Sequence, residues 1–324
     1  MTMREGELAS ALQNCRVDMP GLIASSYVDW TSALNGEAYR LFIGGPMLPF
    51  FQRADGEEAP SFPVIYVLDA KLHFASVHAQ VQLLSAMRLM PPAYVIGIGY
   101  AGDESFFAKD AFRRQGDLTP NEGGVQEADL KAMNFATGIV HGGATAFLAV
   151  LTQEVRLALE TQFPIDGTDA TLLGHSLGGL FTSWVLFHRP SAFQRYVIAS
   201  PSWWWNNYEI WRWESEWARN HSDLKASVFA CFGGLETATE HREIAVRALT
   251  HTTGDGKAAI EATIARSDQC GWMQGAELIP RFQATLERRR YPGLRLTTMV
   301  FPDELHESVA TLGYSRGLRS TFDD

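Results

Sequence analysis

Cysteine is scarce in this chain of 324 residues, which contains only Cys15, Cys231 and Cys270 and no Cys-x-x-Cys pair. Such wide spacing provides neither a disulfide framework nor a zinc site, and it is typical of proteins from a reducing compartment. We therefore expect a cytoplasmic protein that uses no metal and no other cofactor.

Long apolar runs are also missing, and none is long enough to span a bilayer. Residues 1–21 lack a basic start followed by an apolar core, so we expect no signal peptide. The sequence gives no reason to expect a membrane partner.

Positive charge is in deficit, because 27 lysines and arginines face 37 aspartates and glutamates, for a net charge of -10. A nucleic-acid-binding protein usually carries the opposite sign. We expect no nucleic-acid partner, and any anionic ligand would need a local cluster of arginines. The oligomeric state stays open.

What the chain does contain is 46% hydrophobic residues, enough for a large core. The turn at Asn35 and Gly36 predicts a hairpin between strands at 25–30 and 37–44. From residue 62 onward strands and helices alternate, which favours an α/β fold with a mostly parallel twisted sheet, antiparallel N-terminal strands and helices on both faces. The predicted later strands are 63–68, 93–99, 194–200, 227–232 and 294–301; the predicted helices are 71–88, 141–162, 177–188, 238–250, 276–290 and 308–319.

This alternation suggests an N-terminal extension at 1–24 and a single domain at 25–324. Two stretches, a loop at 100–140 and an excursion at 251–274, lack a clear period. Loops of such length are usually functional or mobile, so we expect both near the active site.

The central motif is Gly-x-Ser-x-Gly, formed by Gly174, Ser176 and Gly178 with His175 and Leu177 between them. Between a strand and a helix, this motif forms a tight turn that exposes the serine hydroxyl. The N-terminus of the following helix places amides and a positive dipole end at the serine. The motif predicts Ser176 as a nucleophile; the simpler alternative is an ordinary glycine-rich turn.

A nucleophilic serine needs a base, and the base needs an acid partner. His306 lies between the last strand and the last helix, where its side chain can reach the serine. In hydrolases of this fold the acid comes between serine and histidine in the chain. Glu236 fits this order, and Asp268 is the alternative. A helix N-terminal carboxylate would also explain Glu236.

Two amide donors should stabilise the tetrahedral intermediate. Leu177 supplies one, and Ala70 or Lys71 the other. Aromatic residues after one strand, together with arginines in the loop 100–140, suggest a pocket for a bulky group, with an arginine able to bind an anionic oxygen. Core packing of the tryptophans and salt bridges to Asp110 or Asp117 are the alternatives. The candidate substrate-binding residues are Tyr100, Arg113, Arg114, His175, Trp203 and Trp204.

Residues 25–320 resemble the Putative esterase (esterase D-like) family of α/β-hydrolases, and within it the siderophore trilactone esterases of the enterochelin and salmochelin type. The resemblance rests on residues 63–69, 97–100, 114, 117–120, 142–144, 174–179, 200–202, 204–206, 233–236 and 306–308. It implies an α/β-hydrolase fold and a serine hydrolase that cleaves carboxylic esters through an acyl-enzyme, with Ser176 as nucleophile and His306 as base. One departure is Ala70, where the family often has glycine.

Bulky or aromatic esters or lactones are therefore the expected small-molecule substrates. An acyltransferase would use the same triad, and a non-catalytic binding protein could share the fold. An intact set of serine, acid and histidine argues against the last alternative.

Overall fold

The computed structural model describes residues 7–46, 61–121, 141–270 and 274–323, with the backbone alone described at 107, 108, 255, 259, 266, 269 and 270. Nine strands form the sheet: β1 (Val17–Asp18), β2 (Ser25–Thr31), β3 (Ala38–Gly44), β4 (Phe62–Val67), β5 (Tyr94–Tyr100), β6 (Ile165–Ser176), β7 (Arg195–Pro201), β8 (Ala226–Gly233) and β9 (Leu294–Phe301). Every strand with predicted bounds is present, with its ends shifted by at most one residue, and the strand expected before the serine turn is β6.

Helices alternate with these strands. They are α1 (Glu7–Asn14), α2 (Ala70–Ala86), α3 (Ala111–Asp117), α4 (Ala144–Ala149), α5 (Arg156–Gln162), α6 (Leu177–His188), α7 (Trp205–Tyr208), α8 (Ile210–Asn220), α9 (Ala238–Leu249), α10 (Asp255–Cys270), α11 (Leu278–Arg289) and α12 (His306–Phe322). A π-helical turn, Val150–Val155, joins α4 to α5, so the predicted helix at 141–162 exists over 144–162. No helix within the described ranges is long and apolar enough to cross a membrane.

The sheet has the order β1-β2-β3-β5-β4-β6-β7-β8-β9. The first three strands pair antiparallel, as does β3 with β5, and the remaining pairs are parallel. This arrangement confirms the predicted sheet. Because β4, β6, β7 and β8 are parallel neighbours, their carboxyl ends meet at one edge, where ligands bind in such sheets.

Apolar side chains fill both faces of the sheet. One cluster joins α2 and α12 to the strands, through residues such as Phe74 and Tyr314. The other cluster contains most of α6, together with the tryptophans that follow β7. The central strands are buried on both sides, and the absence of polar alternation in β4 and β8 follows from this burial.

The N-terminal segment packs onto this body from residue 7 onward. Leu8 and Leu12 of α1 are buried in the core, and β1 adds to the edge of the sheet beside β2. The two apolar residues lie four positions apart, on one face of a helix. The residues of 1–24 that the structure describes are thus part of the packed body.

The stretch at 251–274 contains a helix where the sequence suggests an irregular excursion. Helix α10 packs against α9 as a hairpin. Its alanines favour helix formation, but its many polar residues and the flanking glycines hide the period in the sequence. In the loop at 100–140 the structure describes α3 and a π-helical turn, Phe106–Asp110; residues 122–140 lie outside the described ranges.

Candidate active site

Ser176 occupies the turn between β6 and α6. Its φ of 60° and ψ of -120° are unusual for a residue with a side chain, as a sharp strand-to-helix turn requires. A Cβ on Gly174 would lie 2.3 Å from the carbonyl oxygen of Gly178, and one on Gly179 would lie 2.9 Å from the Cα of Pro201. The glycines therefore permit the close packing that raises the serine above the sheet.

Glu236 and His306 form a hydrogen-bonded pair at the same edge. The Nδ1 atom of His306 lies 2.7 Å from Oε2 of Glu236, and the backbone N–H of Gly233 donates to Oε1 at 2.7 Å. The carboxylate is buried, which alone would raise its pKa. The hydrogen bond and charge of His306, with further donors, outweigh burial and hold the pKa of Glu236 below its usual value.

Ser200, which the sequence analysis names only as part of the family resemblance and not as a site residue, completes this pair. It lies at the end of β7, is fully buried and has a φ of 41°. Its hydroxyl donates to Oε2 of Glu236 and lies 2.8 Å from Nδ1 of His306. Its position at the carboxyl end of the strand next to β6 is the one sequence feature that could have indicated it.

His175 supports His306 from the other side. Its Nε2 donates to the carbonyl oxygen of His306 at 2.8 Å, and the two rings lie 4.4 Å apart. The ring of His73 follows at 5.5 Å from that of His175. Burial lowers the pKa of His175 well below its ordinary value and that of His73 to about 4. Both rings are therefore neutral near pH 7, and His175 packs behind the site rather than lining it.

A cavity of about 270 Å³ opens onto these groups. Ser176, Leu177, Glu236 and His306 all line it, so the structure brings the predicted nucleophile, base, acid and one amide donor together. Its apolar wall consists of Trp204, Phe232, Leu235, Ile244 and Leu305. Its polar lining includes Arg114, Gln115, Ser202, His241, Gln274 and Glu307.

Arg114 reaches the cavity but is already engaged. Its Nε and Nη2 donate to the two carboxylate oxygens of Asp69 at 2.8 and 2.7 Å. Neither Asp110 nor Asp117, the partners considered from sequence, takes this role. The pair lies beside the serine turn, because Nη2 of Arg114 is 3.4 Å from the carbonyl oxygen of His175 and Oδ2 of Asp69 would lie 3.2 Å from a Cβ on Gly178. The Arg114 charge is thus balanced within the protein.

Besides His175, three more predicted substrate-binding residues lie outside the cavity lining, which corrects the sequence interpretation. Trp203 is fully buried, and its indole N–H donates to Oγ of Ser183 at 2.8 Å. Tyr100 is buried and donates to Oδ2 of Asp117 at 2.9 Å, while Arg113 pairs with Glu37 at 3.4 Å. Internal partners hold all three side chains away from the cavity.

Ala70 and Lys71 form the first turn of α2. Their side chains line a different cavity of about 260 Å³, and Nζ of Lys71 lies 3.1 Å from Oδ1 of Asp110. The prediction for these residues concerns their backbone amides and stays a prediction. Asp268, the alternative acid, is paired with Arg242 on the exposed side of α10. Among the residues with described side chains, no group of three or more His, Cys, Asp or Glu is arranged to hold a metal ion.

Comparisons with a family model and with known sequences both identify esterases. The Putative esterase family model matches residues 47–287. Ferri-bacillibactin esterase BesA of Bacillus subtilis is 32% identical over 182 residues, which cover 54% of this chain and 57% of BesA. A siderophore triacetylfusarinine C esterase of Aspergillus fumigatus is 27% identical over 296 residues, covering 89% of this chain and 90% of that protein.

The crystal structure of a BES protein from Bacillus cereus is also similar, with 26% identity and a TM-score of 0.66 over 95% of this chain and 100% of that one. Together with the mostly parallel sheet, this similarity shows the α/β-hydrolase fold. The family match spans well over half of the residues and includes both the serine turn and Glu236. The chain belongs to the Putative esterase family.

Proposed function

We propose that this chain is a serine esterase that cleaves carboxylic esters through an acyl-enzyme. The observation that carries the proposal is the shared cavity of Ser176 and the Glu236–His306 pair. Because Glu236 is ionised near pH 7 and can only accept hydrogen bonds, it holds the proton on Nδ1 of His306. The Nε2 lone pair is then free to accept the proton of Ser176.

The first step forms a bond between Oγ of Ser176 and the ester carbonyl carbon while His306 takes the serine proton. The amide of Leu177 stabilises the oxyanion, and Ala70 or Lys71 supplies the second donor. The alcohol leaves with the proton from His306. Water, deprotonated by the same imidazole, then releases the acid.

The substrate class we propose is a bulky ester or lactone of the siderophore type. The names of the two curated relatives support this class, as does the apolar wall beside Ser176. Trp204 in that wall offers a large flat contact for an aromatic or branched group. We also propose a cytoplasmic location, which the sparse cysteines support.

Replacing Ser176 with alanine tests the proposal. The variant should fold as the wild type does and lose at least about a thousandfold in rate, because triad members act as a unit. The assay is hydrolysis of a panel of aryl, short-chain and lactone esters, with labelling by a fluorophosphonate probe. If Ser176→Ala kept more than about a tenth of the wild-type rate on its best ester, the proposed function would be wrong.

A further inference from the structure

Ser200 borders the active-site cavity but is fully buried, and its hydroxyl is placed to control the geometry of the acid and the base. It is fully buried at the end of β7, between the strands that carry Ser176 and Glu236. We propose that Ser200 is a positioning residue whose hydroxyl locks the carboxylate of Glu236 and the imidazole of His306 into one arrangement. This inference rests on the proposed function.

The hydrogen bonds around the carboxylate support the proposal. Oε1 of Glu236 accepts the backbone N–H of Gly233. Oε2 accepts both the hydroxyl of Ser200 and the Nδ1–H of His306. Since the hydroxyl oxygen is also 2.8 Å from Nδ1, the three groups form a closed triangle. A carboxylate held by three donors cannot rotate freely, and the imidazole that it orients is held as well.

The backbone of Ser200 provides a second argument. A φ of 41° lies in the left-handed region, which costs free energy for a residue with a Cβ and much less for glycine. Glycine would therefore relieve the backbone at this position while removing the hydroxyl. Ser200→Gly should thus favour stability, through the relieved backbone, and impair catalysis, through the lost hydroxyl. An experiment can separate these two effects.

The test compares Ser200→Gly, Ser200→Ala and a matched control, Ser227→Ala. Ser227 is a buried serine near the start of β8, where its hydroxyl accepts from Nε of Arg295 at 3.0 Å. We expect kcat to fall about ten- to a hundredfold in both Ser200 variants, as for loss of a hydrogen bond to a charged group. KM should stay within about twofold, because the hydroxyl is buried and already engaged by Glu236 and His306. Ser200→Gly should be at least as stable to urea as Ser200→Ala, and the control should keep wild-type kcat.

The pH profile adds a readout that a purely structural role would not change. The hydroxyl of Ser200 is one of the donors that lower the pKa of Glu236. Without this donor the pKa of Glu236 is lowered less, so the acid limb of kcat/KM that reports loss of the ionised carboxylate should move upward in both variants. The control should leave the acid limb in place.

Two outcomes would overturn the inference. One is a Ser200→Gly variant with wild-type kcat and an unmoved acid limb. The other is a loss of rate that correlates with loss of stability, so that Ser200→Ala has a lowered kcat and the more stable Ser200→Gly does not. The rate of fluorophosphonate labelling of Ser176 gives the same comparison without a choice of ester. Failure of the proposed function is distinguishable, because it would appear as activity or labelling that survives in Ser176→Ala.

Discussion

The ion pair between Arg114 and Asp69 allows a quantitative prediction. Its side chains are only 11% and 3% exposed, and two hydrogen bonds join them. Replacing Arg114 with methionine keeps most of the side-chain volume but leaves the carboxylate of Asp69 buried and unpaired. Breaking a buried pair from one side costs about 3–5 kcal/mol. Domains of this kind are stable by about 5–15 kcal/mol, so the variant should lose a large part of its stability.

A double-mutant cycle separates the pair from its surroundings. Asp69→Asn removes the buried charge that Arg114→Met leaves unpaired. The free energy of unfolding of the double variant should therefore be about 2 kcal/mol or more higher than the sum of the single changes predicts. Urea unfolding followed by tryptophan fluorescence measures each free energy of unfolding. The same variants are assayed on two aryl esters of equal size, one neutral and one carrying a carboxylate.

Because the pair lies beside the serine turn, its loss should lower kcat for both esters by a similar factor. The reasoning would be refuted if Arg114→Met unfolded at the wild-type urea concentration and lost activity on the charged ester alone. That result would make the guanidinium a substrate anchor, as the sequence suggests, rather than a structural cation.

The remaining predictions concern other parts of the molecule. His306→Ala should lose almost as much activity as removal of the nucleophile, whereas Glu236→Gln should lose less, since the imidazole remains but is poorly oriented; kcat at pH 7–8 compares them. Burial outweighs the hydrogen bonds from two tyrosines and raises the pKa of Asp117 to about 6. A raised pKa contributes stability that is fully present below about pH 4 and is lost as the pH rises through 6. The free energy of unfolding of the wild type, measured in urea, should therefore fall by up to about 3 kcal/mol relative to that of Asp117→Asn over this range. Parallel plots of the two free energies against pH would contradict this. Trp204→Ala should reduce kcat/KM about tenfold more for a bulky aryl ester than for an acetyl ester, and equal losses would remove Trp204 from the substrate wall.

Much of the fold could be predicted because burial leaves a pattern in the sequence. Strands covered on both faces, such as β4 and β8, are continuous apolar runs. The helices with clear apolar faces were also predictable. Helix α10 was not, because it packs mainly on another helix and exposes much of its polar surface. Short α7 depends on left-handed residues at Asn206 and Asn207, which composition does not indicate.

Some residues of the candidate site could likewise be predicted from the sequence, and others could not. Ser176, Glu236 and His306 follow strands whose carboxyl ends must meet in a parallel sheet, so their proximity could be predicted from chain order. Ser200 also follows such a strand, but a serine hydroxyl has no sequence pattern that distinguishes a hydrogen-bonded one from any other. Of the tryptophans after β7, alternation predicts only that some face the site; the structure places Trp204 there and buries Trp203 in the core.

Charge pairing was the least predictable feature because it depends on tertiary distance. Arg114 has acidic neighbours close in sequence, yet it pairs with Asp69, 45 positions away, across the site. An arginine near a catalytic serine suggests recognition of an anion only while its partner is unknown. Of the charged groups described around the cavity, the guanidinium of Arg114 is paired with Asp69, and the carboxylate of Glu236 accepts hydrogen bonds from Gly233, Ser200 and His306. We therefore expect selection among esters to depend on the apolar wall more than on Arg114, and we expect Arg114→Met to cause the same loss on neutral and anionic esters.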